Sequence, residues 1–96
     1  MDRTNALAPF IDARGRFTRW PAKRKLQLVA LAELAERFEL YRKYSEREVN
    51  DILQDWHTFG DWALLRRDLF DLGYFERSPD GASYWRVERA TGAAST

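Results

Sequence analysis

Pro79-Asp80-Gly81 lies between two short aromatic-rich runs, Tyr74–Ser78 and Ser83–Val87, and fixes where the C-terminal part of this chain reverses. Proline presets one backbone dihedral and glycine accepts a positive φ, so the two runs read as the arms of a β-hairpin. Side chains alternate across a strand, so Tyr84 and Trp85 belong to opposite faces, one core and one more exposed.

Upstream, the apolar period lengthens to that of helices. From Ala22 to Phe38, Leu28, Leu31, Ala35 and Phe38 recur at steps of three and four, and Leu34 widens the stripe. Glu39–Tyr44 has no sustained period and reads as a connector. Ser45-Glu46-Arg47-Glu48 has the spacing of a capping box, and Val49, Ile52, Leu53 and Trp56 then form one apolar face. His57-Thr58-Phe59-Gly60 interrupts that helix. Asp61 reads as the N-cap of a third helix running to about Leu72, with Trp62, Leu65, Leu69 and Leu72 inward and Gly73 as its left-handed cap. Ahead of the first helix, Arg14-Gly15 marks a turn. Arg16–Trp20 alternates polar and apolar residues and reads as a strand or extended segment, ended by Pro21.

The chain has 96 residues, which suits a single domain. Hydrophobic residues make up 45% and aromatic residues 15%, enough for a packed core. The expected layout is an N-terminal arm over 1–13, a folded domain over 14–87 and a disordered tail over 88–96. The absence of cysteine removes disulfides and thiolate chemistry. The single histidine, His57, leaves no set for a metal site and only one candidate for a catalytic triad. It sits at the end of the second helix, where a cation complements the helix dipole. The five glycines are isolated and make no phosphate loop, and no pair of carboxylates is singled out. No enzymatic activity, cofactor or metal is expected. No apolar run approaches a membrane span, and the N-terminus lacks a long apolar leader, so a cytoplasmic protein without membrane contact is expected.

Three helices followed by a two-stranded hairpin is the order of an α+β winged helix: a helix-turn-helix core with a C-terminal β-hairpin wing. Four blocks carry a family resemblance. They are Trp20-Pro21-Ala22-Lys23-Arg24-Lys25, Tyr44-Ser45-Glu46-Arg47-Glu48-Val49-Asn50, Leu65-Arg66-Arg67-Asp68-Leu69, and Asp80-Gly81 before Tyr84-Trp85-Arg86. In this order they resemble an uncharacterised bacterial domain family, found as a small stand-alone protein or at the C-terminus of transcriptional regulators. The resemblance spans roughly Asp12 to Val87 and implies a winged-helix-like fold and a role in transcription. The chain departs from the family pattern at Trp62-Ala63-Leu64, where Leu64 replaces a hydroxyl able to contact phosphate.

Sixteen Lys and Arg against fifteen Asp and Glu give a net charge of only +1, but the charges are segregated. Arg14, Arg16, Arg19, Lys23, Arg24 and Lys25 fall in an interval without acids, interleaved with Phe17 and Trp20. Glu33 to Asp55 is led by acids. A basic stretch of this kind is a candidate for phosphate contacts, and otherwise a solvated face whose aromatics belong to the core. Arg66 and Arg67 on the third helix are candidates for reading bases or holding phosphate, and Arg77 and Arg86 for the wing. Asp61, Asp68 and Asp71 give the third helix a net negative charge, although Arg67 and Asp71 have the spacing of an ion pair. The expected function is a DNA-binding module of a transcriptional regulator, with double-stranded DNA as partner. The alternative is a winged helix that binds a protein or forms a homodimer.

Overall fold

The computed structural model of the protein describes residues 6–88. The first five residues of the expected arm and the expected tail from residue 89 on lie outside the described residues. The architecture is α+β, with helices α1 (Arg24–Ala35), α2 (Glu46–Asp55) and α3 (Trp62–Asp71) and strands β1 (Lys43–Ser45), β2 (Phe75–Arg77) and β3 (Ser83–Arg86). The strands form one antiparallel sheet in the order β1-β3-β2.

The sheet has one strand more than the hairpin. β1 starts near the end of the expected Glu39–Tyr44 connector, runs into Ser45, and pairs Lys43 with Trp85, Tyr44 with Tyr84 and Ser45 with Ser83. It spans three residues with a single inward side chain, too short to show a period in the sequence. The expected strand at Arg16–Trp20 is instead a pair of isolated bridges at Phe17, to Ile11 and to His57. Phe17 donates its amide to the Trp56 carbonyl and accepts from the Thr58 amide, both at 2.9 Å, which stitches this segment to the α2–α3 turn and not to the sheet.

The helices follow their local signals. Ser45 accepts from the Glu48 amide at 3.0 Å, and the Glu48 carboxylate accepts from the Ser45 amide at 2.8 Å, completing the capping box. α3 ends in a Schellman arrangement: the Gly73 and Tyr74 amides donate to Phe70 and Leu69 carbonyls, with Gly73 at φ +87°. Asp61 precedes α3 but makes no side-chain cap. α1 is shorter than the 22–38 expected, and its burial is confined to its second half, Ala30, Leu31, Leu34 and Ala35. Leu28 and Trp62, expected inward, are exposed at 38% and 36%. Each lies about a turn before the first fully buried leucine of its helix, Leu31 or Leu65, so burial begins later than the apolar stripe does.

Phe38 leaves the end of α1 and becomes the hub between helices and sheet. Its ring meets Tyr44 at 5.4 Å and Phe75 at 4.8 Å, both edge-on. Around it the core gathers Leu31 and Leu34 of α1, Val49 and Leu53 of α2, Leu65 and Leu69 of α3, and Tyr84 of β3. The hairpin turns as its residues require. Gly81 takes φ +74° and its amide donates to the Ser78 carbonyl. Asp80 accepts from the Ser78 hydroxyl and the Ala82 amide, and these bonds hold its carboxyl below the ordinary value.

Candidate nucleic-acid interface

The basic segment disperses when it folds. Arg14 is exposed and gives its amide to Asp12 Oδ1. Arg16 binds the same Asp12 through its amide and its Nε, each at 2.9 Å. These bonds, led by the Arg16 amide, hold the Asp12 carboxyl below its ordinary value. Arg14 and Arg16 share a depression with Gln54, Asp55 and Trp56 at the end of α2. Arg19 instead lies over the Phe10 ring at 4.8 Å. Its neighbour Lys23 shares a second hollow with it, beside Phe10 and Trp20. Arg24 reaches across to α3, 3.5 Å from Asp68, and also donates to Gln27. Lys25 is exposed. Of the interleaved aromatics, Phe17 is buried and Trp20 is half-buried against the core.

α1 begins without a side-chain cap and without an acid in its first turn. Lys23, Arg24 and Lys25 stand instead at the positive end of its dipole, where cations are unfavourable and anions are welcome.

The arginines of α3 and of the hairpin converge. Arg66 and Arg67 point about 100° apart around the helix. Arg66 donates to Asn50 of α2, and Arg67, its side chain 81% exposed, lies 3.6 Å from Asp71. Arg77 pairs in register with Tyr84 and therefore shares the inner face of the sheet, where its guanidinium covers the Phe70 ring at 4.4 Å. The three meet at one cleft of about 380 Å³ between α3, the start of α2 and the hairpin. Glu46, Phe70 and Tyr84 frame it as well. Sequence spacing did not single them out for this role, because they come from three separate elements.

Arg86 does not join this group. It pairs with the buried Phe75, faces inward and donates to the Phe38 carbonyl at 3.0 Å, while its Nε is buried without a partner. Arg86 stands two residues beyond Tyr84 and shares its face, and alternation alone left open whether that face or the Trp85 face is the inner one. His57 also differs from expectation. It is buried, with Nδ1 2.5 Å from the Leu53 carbonyl and Nε2 accepting the Asp61 amide at 3.0 Å. A carbonyl can only accept and an amide N–H can only donate, so this ring is neutral with its proton on Nδ1. It joins α2 to the start of α3 by hydrogen bonds, and does not act as a cation on the dipole.

Among the described residues no cluster of His, Asp and Glu could hold a metal ion, and no helix is long and apolar enough to cross a membrane. No curated protein and no solved structure matches the chain. A family model matches residues 16–86, a span that covers most of the described fold and contains the positions of the four sequence blocks. The chain belongs to DUF2087, a family described as an uncharacterized protein conserved in bacteria.

Proposed function

We propose that the chain is a winged-helix module that binds duplex DNA as part of transcriptional regulation. The observation that carries this reading is topological. Helix, strand, helix, helix and hairpin follow one another with the short β1 added beside β3, giving the order β1-β3-β2. In that arrangement α3 is the recognition helix and β2–β3 the wing. The aspartates of α3 weigh less than their number implies, because Asp68 faces Arg24 and Asp71 faces Arg67. Arg67 is left outward beside exposed Ala63 and Leu64, a face able to meet base edges and thymine methyls. The uncapped start of α1 supplies a second phosphate contact through Lys23 and Lys25.

The test is titration of duplex DNA into the full chain at two salt concentrations. The affinity should fall steeply with salt, and Arg67→Ala should lower it. Absence of binding at low salt overturns the reading.

A protein-binding winged helix is the second reading, favoured by the exposed Trp62 and Leu64 on the first turn of α3. Light scattering and partner capture that depend on Leu64 while duplex binding is absent would favour it.

A further inference from the structure

The cleft between α3 and the hairpin holds more hydrogen-bond donors than its own residues use. A guanidinium carries five N–H donors. Among the described residues, the Arg77 guanidinium makes no hydrogen bond or ion pair and only covers the Phe70 ring. Arg67 has the 3.6 Å approach to Asp71, and Arg66 gives an N–H to Asn50. Two carboxylates share the space, Asp71 and Glu46, and Glu46 is engaged by the Tyr84 hydroxyl at 3.4 Å. Three guanidiniums against two carboxylates leave the cleft with a single net positive charge.

That balance selects its ligand. A phosphodiester brings one negative charge and several acceptor oxygens. A phosphate monoester brings nearly two charges at neutral pH, which leaves an excess beside Glu46 and Asp71. Arg66 and Arg77 approach from different elements and are held in place, the first by Asn50 and the second by Phe70. Less side-chain freedom is therefore lost on binding than for unanchored arginines.

We propose that this cleft seats one backbone phosphodiester of the duplex, held by Arg66 and Arg77. The proposal rests on the duplex-binding reading and assigns a phosphate-positioning role to the cleft, separate from base reading on the outward face of α3.

The experiment uses the full chain and a set of duplexes in which a neutral methylphosphonate replaces one phosphate at a time. One position should weaken wild-type binding by about tenfold, as expected for loss of a charge-assisted contact, and should leave Arg77→Ala nearly unaffected. Arg77→Ala should also lower the magnitude of the salt slope by about one. Circular dichroism checks that the variant stays folded, and Arg66→Ala supplies an independent variant. Salt-dependent duplex binding with no position coupled to Arg77 or Arg66 overturns the cleft assignment and leaves the duplex reading standing. No duplex binding at low salt overturns both. Binding of an oligoglutamate peptide that requires Arg77 and excludes the duplex would overturn the proposal in favour of a protein carboxylate.

Discussion

Residues 14–25 and the α3–hairpin cleft are both rich in arginine, but folding treats them in opposite ways. In the first, the positive charges are consecutive in sequence and scattered in space. Arg16 is spent on Asp12, Arg19 on Phe10 and Arg24 on Asp68. In the second, Arg66 and Arg77 are eleven positions apart in sequence, yet they meet at one cleft with donors to spare. Charge density along a chain therefore says little about charge density on a surface. The difference follows from what the segments do for the fold: 14–25 covers the α2–α3 turn, whereas the cleft arginines stand at the margin of an already complete core.

On this contrast, substitutions of the packed and paired residues of the first region act on stability, and those in the second act on binding. Phe17→Ala should have the largest effect, about 3–5 kcal/mol of unfolding free energy in urea, because it empties a buried aromatic site and loosens the whole segment. A loss under about 1 kcal/mol would break the contrast, since residues 14–25 would then be an appendage. His57→Ala comes next, at about 2–3 kcal/mol, because it leaves the Asp61 amide and the Leu53 carbonyl without their partner. Arg77→Ala should cost only about 0.5–1 kcal/mol, the worth of an exposed cation–π contact, while lowering duplex affinity. A larger loss of stability would make Arg77 structural and erase the distinction.

The smallest effect is a slope with pH, and it links the regions because each has a turn built on an aspartate. Asp12 and Asp80 both have carboxyls held below the ordinary 3.8 by hydrogen bonds. A carboxyl depressed in the folded state stabilises above its unfolded pKa, and that contribution is lost as the pH falls through the folded value. Stability should therefore decline as the pH falls from about 4. Asp12→Asn and Asp80→Asn should each flatten part of that decline in denaturation measured across acidic pH. If neither does, the two turns do not contribute through their charge.

Much of the fold was legible because its signals are local. The Ser45–Glu48 box needs only residues three apart, and Gly73 and Gly81 take the positive φ that their places in the sequence demand. Alternation tied Arg86 to the face of Tyr84, but only the structure decided that this face, and not that of Trp85, turns inward. What escaped had short or distant causes. β1 exists because β3 is there to pair with it, and three residues carry no period of their own. Leu28 and Trp62 lie on the apolar side of their helices, but burial depends on where neighbouring elements end.

The sequence by itself determined the three helices, the Ser45–Glu48 box, the Gly73 cap, the hairpin and the absence of cysteine chemistry, because each depends on residue type and near-neighbour spacing. Only the tertiary structure decided which arginines are consumed and which are left free. Whether Arg24 meets Asp68, or Arg77 meets Phe70 beside Arg66, depends on contacts between elements distant in sequence. Electrostatic and cation–π interactions act over a few ångströms of space, whatever the separation along the chain.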